Sequence, residues 1–586
     1  METTSNARGY HGKNHSSLIV NLSSEEVGIA NLASGAHFAK TLQKLGLKRV
    51  FFSPGSRSTS LIIGLERYSD IEIIPVLDER TAAFLALGNS KRENSPTGLI
   101  CTSGSALAHW FPAVTEACHA SVPLLLFSAD RPPELQECAA GQTINQKNIF
   151  GEFVRGFHQL VPPSSSEDSA EELIQTLQLA YQQATGINPG PVHLNFPFRE
   201  PFLPNSADIE IPATEEQKQV PKAQKFTYPD SPQKIAAEVS LFKKPVLVTG
   251  QFITLESLQP WLDNFSLPIL CDSLSPARHS ASSNTISRYE NLLRDLHFTE
   301  KAIPDLIIVL GPLPTSKTLR RWIDESEAKR IVIEPRGINV DPLSSNSDQF
   351  QVAYEHISEI TLPQSPPSWI KLWQEAEESV DFQLEATFST ELPSFEGKLA
   401  HLLSLHLPSL SDLFVANSMP MRDIEWFWKQ VPSERRLFGN RGVNGIDGTL
   451  GTALGIAHES NRPAYLLSGD LAFLHDSNAL LFSKQLKGSL TVFVINNFGG
   501  GIFEHLPIAD EPEFEKCFAT PQNIDLQDLC KAFKVSHEQL TSWTEIILRI
   551  KHPKKFGIHI IEIRTDRKKD RILRQKLLSI SPQDYA

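Results

Sequence analysis

Short apolar runs alternate with longer stretches of helical periodicity in three parts of the chain, a pattern typical of parallel sheets built from strand–helix–strand units. In the first part the apolar runs are RVFFSPG, IEIIPVLDE, TGLICTSG and VPLLLFSADRP. The middle part has KPVLVTGQF, LPILCDS, PDLIIVLGP and RIVIEPR, and the third has DLFVANSMPMRD, PAYLLSGDLAF, SLTVFVINN and FGIHIIEIR. The sequence therefore predicts three α/β domains with mainly parallel central sheets.

Two polar, proline-containing stretches separate these parts. The first runs from Pro212 to Lys234 and the second from Leu362 to Trp369, and both are typical of exposed linkers. The N-terminal residues lack the apolar core and cleavage site of a secretory signal, so we predict a flexible leader there. The predicted boundaries are a leader at 1–35 and domains at 36–210, 230–362 and 395–586.

Composition narrows the class of protein. The 586 residues carry a formal net charge of −13, which argues against a nucleic-acid-binding protein because such proteins rely on clustered Lys and Arg. No apolar run approaches the ~18 residues that a membrane helix requires. The six cysteines form no CxxC pair, so the sequence indicates neither a zinc site nor a disulfide framework and favours a reducing, cytoplasmic location.

Two strands of the third part end on oxygen-bearing side chains. PAYLLSG is followed by Asp470, and TVFVINN ends on Asn497. If a helix through SNALLFSKQL joins them as neighbouring parallel strands, both side chains face the crevice where open α/β sheets bind ligands. A carboxylate and an amide oxygen suit Mg²⁺ beside a phosphate, and the following FGGGIF lets the backbone approach a ligand closely. Taken singly, Asp470 is more simply a helix cap and Asn497 a turn residue.

The GD and NN pairs at this spacing resemble the diphosphate-binding motif of the thiamine diphosphate enzymes. The resemblance implies a pyrimidine-binding and a diphosphate-binding domain on either side of a middle domain. It also implies that Mg²⁺ or Mn²⁺ is held by Asp470, Asn497 and the carbonyl of Gly499, with Gly469 beside the cofactor. Glu79 in VLDERTAAF matches the catalytic glutamate that bonds the aminopyrimidine ring. By itself, Glu79 would be a first-turn residue favoured by the helix dipole.

Six further stretches resemble one family in this group, the 2-succinyl-5-enolpyruvyl-6-hydroxy-3-cyclohexene-1-carboxylate synthases. They are SPGSRSTSL, TSGSALAHWFPAVTEA, SADRPPELQECAAGQTINQ, ANSMPMRD, NRGVNGIDG and NNFGGGIFEHLP, and they run through the first and third parts. The resemblance implies a transferase that decarboxylates 2-oxoglutarate on thiamine diphosphate. The resulting succinyl semialdehyde carbanion adds to isochorismate by conjugate addition, as a step of menaquinone or phylloquinone biosynthesis.

Because both substrates carry two carboxylates, a basic site is expected. The resemblance assigns substrate binding to five basic and three neutral side chains, which are Arg57, Arg131, Lys317, Arg422, Arg441, Ser56, Gln142 and Ser418. Guanidinium groups can hold a carboxylate with two parallel hydrogen bonds. For each arginine separately, a surface ion pair or a domain contact is the commoner role. Thr318 stands where some relatives are expected to carry a second basic residue.

Four apolar residues complete the implied site. Ile446 matches the side chain that bends the cofactor, and Ile502, Phe503 and Leu506 match an apolar wall, although ordinary core packing explains all four equally well. The resemblance further implies a homodimer or homotetramer with active sites at subunit interfaces. Two alternatives remain, a thiamine diphosphate enzyme acting on smaller substrates, such as a 2-oxoacid decarboxylase or acetohydroxyacid synthase, and a noncatalytic binding protein on the same fold.

Overall fold

Three parallel sheets, one in each predicted domain range, form the framework in a computed structural model of the chain. The structure describes residues 23–205, 226–343, 347–362, 364–390 and 392–583. Each sheet has six strands, and every strand pair is parallel. The predicted α/β class with parallel sheets is confirmed. We call the sheet-bearing regions 24–205, 226–362 and 396–583 the first, middle and third domains.

The first domain has the strand order β2-β1-β3-β4-β6-β5. Helices α1 and α5 pack together on one face, and α3 and α4 pack on the other. The strands are β1 Arg49–Phe52, β2 Glu72–Pro75, β3 Thr97–Cys101, β4 Leu124–Asp130, β5 Gly156–Gln159 and β6 Pro191–Pro197, and the helices are α1 Ser24–Lys44, α2 Thr59–Tyr68, α3 Glu79–Glu93, α4 Phe111–His119 and α5 Glu167–Ala184.

The predicted leader at 1–35 needs correction at its end. Helix α1 begins at Ser24, because Ser23 and Glu26 form a reciprocal capping box that satisfies the first backbone N–H groups. Gly28 lies so close to the backbone of Leu203 and Pro204 that a Cβ there would come within 2.7 Å of it. Residues 24–35 are thus part of the first domain, and the remainder of the predicted leader up to residue 22 lies outside the described residues.

The middle domain has the order β12-β11-β10-β7-β8-β9. Residues 206–225, which include positions 212–225 of the predicted linker, lie outside the described residues. The strands are β7 Pro245–Thr249, β8 Ile269–Cys271, β9 Thr285–Ile286, β10 Leu306–Leu310, β11 Lys329–Ile333 and β12 Ser347–Phe350, with helices α6 Pro232–Val239, α7 Leu255–Asn264, α8 Tyr289–Leu292, α9 Leu296–Lys301 and α10 Lys317–Glu325, followed by the connecting helix α11 Pro367–Phe388.

The third domain repeats the topology of the first, because its order β14-β13-β15-β16-β18-β17 matches 2-1-3-4-6-5 strand for strand. Its sheet shares apolar cores with both other domains. The strands are β13 Asp412–Val415, β14 Arg436–Phe438, β15 Ala464–Gly469, β16 Ser489–Asn496, β17 Ser536–Gln539 and β18 Gly557–Arg564, with helices α12 Glu396–His406, α13 Met419–Phe427, α14 Thr449–Ala457, α15 Asp470–His475, α16 Leu526–Phe533, α17 Trp543–Lys551 and α18 Arg567–Leu578.

The connection between β15 and β16 differs in detail from the prediction. The strands are parallel neighbours in the register Gly469↔Ile495, as expected. The segment SNALLFSKQL, however, forms a 3₁₀ helix over Ser477–Lys484 after the short α15. The buried Asp476 ends α15 and accepts a hydrogen bond from the Gly451 N–H of α14 at 2.7 Å, which ties the turn to the neighbouring helix.

Helices α3 and α14 join the first domain to the third at very close range. A Cβ at Gly88 would lie 2.0 Å from the Thr452 carbonyl oxygen, and one at Gly455 would lie 2.1 Å from that of Leu85. Glycine is therefore required where the two helices cross. This crossing holds two similar α/β units against each other within one chain.

Among the described residues, no helix combines the length and apolar character needed to cross a bilayer. All six cysteines are free thiols, and three of them are buried, which are Cys101, Cys271 and Cys530.

Candidate active site

The site lies at the carboxyl edge of the third sheet, where the strand order changes direction between β13 and β15. Open parallel sheets form a ligand crevice at such a point. A cavity of about 360 Å³ opens there. Ten of the residues predicted from the sequence line it, namely Ser418, Arg422, Arg441, Ile446, Gly469, Asp470, Asn497, Gly499, Ile502 and Phe503.

Asp470 begins α15 directly after β15 and is almost completely buried. One carboxylate oxygen accepts the N–H of Leu471 at 2.9 Å, and the other accepts the N–H of Gly499 at 2.9 Å. Burial raises the pKa of this carboxyl group to about 6, although both backbone hydrogen bonds oppose the shift. A cation at the cavity would favour the ionised carboxylate.

Asn497 faces the same cavity from the end of β16. Its Nδ2 donates to a Glu396 carboxylate oxygen at 2.6 Å. Its Oδ1 is buried and has no hydrogen-bond partner among the described residues. An orphaned amide oxygen beside a buried carboxylate fits a hard divalent cation, because such cations replace the missing donors.

Gly499 places its backbone in a conformation that only glycine adopts readily. Its φ is +135°, and a Cβ would lie 2.2 Å from the Ala519 carbonyl oxygen. Gly469 differs, because a Cβ there would meet no atom within 4 Å although the residue lines the cavity. The backbone at Gly469 thus leaves room for a ligand at the strand end, as a diphosphate requires.

Arg422 and Arg441 lie side by side at this cavity. Arg441 donates to the Asn417 side-chain oxygen at 2.6 Å and to the Thr315 hydroxyl at 2.7 Å, and Arg422 donates to the Ser418 carbonyl at 2.8 Å. Neither forms an ion pair with a carboxylate of the described residues. Burial is the main cause that lowers the pKa of each, and the charge of Arg441 lowers the pKa of Arg422 further.

Ser418 is held in a strained backbone conformation, with φ 71° and ψ −132°. A non-glycine residue in this region costs on the order of 1–3 kcal/mol and persists only where the surroundings impose it. Asn417 supplies part of that constraint, because its side-chain N–H groups bond the carbonyls of Asn440 and Gly445 at 2.8 and 2.7 Å. The strain directs the turn after β13 into the cavity.

A second cavity of about 660 Å³ adjoins the first and shares Met419, Arg422, Ile502 and Phe503 with it. The predicted residues Lys317 and Leu506 line this second cavity. Thr318 is buried, and its hydroxyl donates to Glu290 at 2.7 Å, so its place beside Lys317 is a packing position. Together the two cavities form one cleft between the middle and third domains, lined by both cationic and carboxylate side chains.

The other predicted residues lie at the carboxyl edge of the first sheet, where Glu79 opens α3 and Ser56 follows β1. Arg131 follows β4 and donates to the Ser103 hydroxyl, and the Gln142 side chain donates to the Ser103 carbonyl at 3.0 Å. No residue of the described first domain lines either cleft cavity. Within one chain, the predicted site is therefore divided into two parts.

Arg57 is buried within the first domain and already has several partners. It donates to the Phe198 carbonyl at 2.9 Å and to Glu200 at 2.7 Å, and it stacks over the Phe202 ring at 4.7 Å. These contacts tie the turn after β1 to the end of the domain. Its assignment to substrate stays a prediction.

Several residues of the site were not singled out from the sequence, although His505 lies in the stretch NNFGGGIFEHLP. Glu396, at the start of α12, lines the smaller cavity, and His505 and Arg574 line the larger one. Their roles depend on packing between distant elements. Asn417 lies in the ANSMPMRD stretch, so the motif identified the turn although it did not indicate the bond to Arg441.

A separate acidic group at Glu72, His458 and Glu459 has the spacing of metal ligands. Its carboxylates are already paired with cations, because Arg49 and Lys487 each bind both Glu72 and Glu459. We interpret this group as an ion-pair network between the first and third domains.

Comparison with known protein families gives two matches. Residues 33–149 match a profile described as thiamine pyrophosphate enzyme, N-terminal TPP binding domain. Residues 424–558 match one described as thiamine pyrophosphate enzyme, C-terminal TPP binding domain. The two matches fall on the domains that share a strand order.

A solved structure of benzoylformate decarboxylase from Polynucleobacter necessarius aligns with a TM-score of 0.65, covering 91% of this chain and 98% of that one. The sequence identity is only 16%, so this likeness concerns the fold alone.

Curated relatives are similar along nearly the whole chain. The 2-succinyl-5-enolpyruvyl-6-hydroxy-3-cyclohexene-1-carboxylate synthase of Trichormus variabilis is 40% identical over 567 residues, covering 92% of this chain and 96% of the relative. The protein of the same name from Synechococcus elongatus is 40% identical over 558 residues, covering 92% and 94%. That from Trichodesmium erythraeum is 38% identical over 553 residues, covering 91% and 95%. This chain belongs to the 2-succinyl-5-enolpyruvyl-6-hydroxy-3-cyclohexene-1-carboxylate synthase family of thiamine diphosphate-dependent enzymes.

Proposed function

We propose that this protein is a transferase that joins 2-oxoglutarate to isochorismate with loss of CO₂, and that it uses thiamine diphosphate with Mg²⁺ or Mn²⁺. The product is 2-succinyl-5-enolpyruvyl-6-hydroxy-3-cyclohexene-1-carboxylate, the compound in the names of its relatives. The reaction belongs to menaquinone or phylloquinone biosynthesis. The free thiols fit a cytoplasmic location, which is part of the same proposal.

This proposal rests above all on one observation, which is that neither Arg422 nor Arg441 forms an ion pair with a carboxylate of the described residues. Both guanidinium groups are half-buried and have neutral hydrogen-bond partners, so a bound anion would offset the hydration they have lost. A substrate carboxylate supplies this anion, and a guanidinium group can hold a carboxylate with two parallel hydrogen bonds. Lys317, which is exposed at the wider cavity, adds a third positive charge for a second carboxylate.

Different residues of the chain would hold different parts of the cofactor. Asp470, the Asn497 Oδ1 and the Gly499 carbonyl would ligate the metal, and the open space beside Gly469 would take the diphosphate. Ile446, which lines the same cavity, would press against the cofactor between its two rings. Bound thiamine diphosphate supplies the nucleophilic carbon and the electron sink that decarboxylation of a 2-oxoacid requires.

The remaining residues orient the substrates and control water. Arg422 and Arg441 would hold carboxylates at the narrow cavity. Ile502 and Phe503 line both cavities and Leu506 lines the wider one, and these apolar side chains would exclude water. Exclusion of water strengthens each charge interaction in the cleft. Glu79 would hold the proton shared with the ring nitrogen of the aminopyrimidine.

Glu79 reaches this cleft in our proposal from a second copy of the chain. The Asp470 cavity is lined by no described residue of the first domain. Glu79, Ser56, Arg131 and Gln142 gather at the corresponding edge of the first sheet. A two-fold dimer brings the first-domain edge of one subunit to the third-domain edge of the other, and both sites form at once. The functional unit is a homodimer, or two such dimers in a homotetramer.

The decisive experiment incubates purified protein with thiamine diphosphate, Mg²⁺, 2-oxoglutarate and isochorismate. We expect equimolar CO₂ and adduct, with the adduct identified by mass spectrometry, and no adduct when either substrate is omitted. Rapid CO₂ release that isochorismate leaves unchanged, without adduct, would identify a simple 2-oxoacid decarboxylase. Stoichiometric cofactor binding without CO₂ release from any 2-oxoacid would identify a noncatalytic binding protein.

A further inference from the structure

The C-terminal helix α18 lies against the backbone of the proposed metal-ligand loop, which we define as residues 497–499. Arg567, the first residue of α18, donates to the Asn497 carbonyl at 3.4 Å and to the Phe498 carbonyl at 3.1 Å. The same guanidinium donates to Glu504 at 2.8 Å, just beyond the loop. Two of the three loop carbonyls thus contact α18. The Gly499 carbonyl instead accepts the Gly501 N–H at 2.9 Å, which leaves its second lone pair for a metal.

A second connection from α18 reaches the Asn497 side chain through Glu396. Arg574, two turns along the helix, donates to one oxygen of Glu396 at 2.8 Å. The other oxygen of Glu396 accepts the Asn497 amide at 2.6 Å. Arg574 is fixed in turn by two bonds to Asp423 at 2.8 and 2.9 Å, and the whole chain of contacts is buried.

This arrangement determines which way the Asn497 amide faces. A carboxylate can only accept hydrogen bonds, so Glu396 requires the NH₂ group of the amide. The amide oxygen is then the atom presented to the cavity, where it has no partner among the described residues. Partners behind metal ligands commonly set their orientation in this way.

We propose that Glu396, Arg574 and Arg567 are positioning residues through which α18 sets the metal affinity of the 497–499 loop. The inference rests on the proposed role of Asp470, Asn497 and Gly499 as metal ligands. It concerns residues that act through the loop, and each lies more than sixty positions from the loop in the sequence. Glu396 links the position of α18 to the Asn497 side chain, and Arg567 links it to the backbone of the 497–499 loop.

The Glu396→Gln substitution tests the side-chain connection. The new amide turns its oxygen toward the Arg574 guanidinium and its NH₂ toward Asn497. The Asn497 amide must then rotate and present NH₂ to the cation, which removes one ligand. Arg567→Gln tests the backbone connection near the surface, where loss of the fold is less of a risk, because the Arg567 side chain is 11% exposed and that of Glu396 is 2% exposed.

The measurement is the Mg²⁺ concentration that gives half-maximal thiamine diphosphate binding to the full-length chain, followed by calorimetry or by intrinsic fluorescence. We expect each variant to need roughly 10–100-fold more Mg²⁺, the usual effect of losing a partner behind a metal ligand. Saturating Mg²⁺ should restore cofactor binding, which a general loss of structure would not allow. Lys569→Gln removes a charge from the exposed face of the same helix and should leave the curve unchanged.

Asp470→Ala separates failure of this inference from failure of the proposed function. If that variant binds cofactor with unchanged Mg²⁺ dependence, the metal assignment itself is wrong. If Asp470→Ala abolishes metal-dependent binding while Arg567→Gln and folded Glu396→Gln behave as the parent, only the positioning role is overturned. Should Glu396→Gln fail to fold, Arg567→Gln alone decides.

Discussion

At the residue scale, Arg422 and Arg441 are the side chains whose replacement distinguishes substrate binding from packing. Either change to Ala leaves a desolvated substrate carboxylate without its partner, at a cost of about 2–5 kcal/mol. We expect kcat/KM for one or both substrates to fall at least tens-fold, while thiamine diphosphate affinity is retained. Kinetics with each substrate varied in turn, beside a cofactor titration, measure this.

Arg436→Ala is the matched control, because Arg436 already pairs with Asp412 at 2.7 Å. Both residues begin their strands, β14 and β13, at the edge of the sheet opposite the site. Near-normal kcat/KM in both site variants would mean that Arg422 and Arg441 serve packing alone.

Gly469→Ala tests the space beside β15. The new methyl group meets no protein atom within 4 Å, so the variant should fold normally. It enters the volume assigned to the diphosphate, and we expect thiamine diphosphate affinity to fall by roughly 1–3 kcal/mol, the usual range for an added methylene in a filled space. Gly186→Ala adds a methyl group at ordinary contact distance far from the site and serves as control. Unchanged affinity would place the diphosphate elsewhere.

Glu79→Gln tests proton transfer at the first-domain edge. Glutamine keeps the size of the side chain and a hydrogen bond but cannot exchange the proton, so turnover should drop by roughly 10²–10⁴-fold while cofactor affinity is retained. The measurement is CO₂ release at saturating cofactor. Glu93→Gln, at the far end of the same helix, removes an equal charge and should leave turnover intact. A parental rate in the Glu79 variant would refute the catalytic role.

At the element scale, the crossing of α3 and α14 predicts a stability change opposite in sign to the one expected from helix propensity. Gly→Ala inside a helix normally stabilises by up to ~1 kcal/mol. At Gly455 the added Cβ would lie 2.1 Å from the Leu85 carbonyl oxygen, so the helices must separate. We expect Gly455→Ala to destabilise by about 1–3 kcal/mol, visible as a lower Tm in calorimetry. A Tm equal to or above that of the parent would show that the helices can separate at little cost.

The helices and strands are the part of the structure that the sequence predicts best. Alternating apolar runs identified the three parallel sheets, and the strand ends at Asp470 and Asn497 meet at one edge because β15 and β16 are register neighbours. The helix start at Ser24 depends on a capping box, and the 3₁₀ helix after α15 depends on the hydrogen bond of Asp476. Apolar periodicity indicates neither feature. Glu396 and Arg574 were not predictable, because only tertiary packing brings α12 and α18 to the metal-ligand loop.

At the scale of the whole molecule, the first and third domains repeat one topology, and in the proposed function they carry complementary halves of one site. The half with Asp470 and Asn497 suits a metal and a diphosphate, and the half with Glu79 suits proton transfer. Their separation within one chain explains why the proposed function requires a second copy. Sedimentation or light scattering should therefore find a dimer or tetramer under assay conditions.

The most direct test of this account mixes two inactive variants, Glu79→Gln and Asp470→Ala, and measures adduct formation from 2-oxoglutarate and isochorismate. If each site takes Glu79 from one subunit and Asp470 from the other, a mixed dimer contains one site with both residues intact. Random exchange of subunits at equal amounts should then restore about a quarter of the parental activity, since half of the dimers are mixed and each has one intact site of two. Activity that stays at the level of the separate variants, although exchange of labelled subunits is demonstrated, would contradict a site built from two chains.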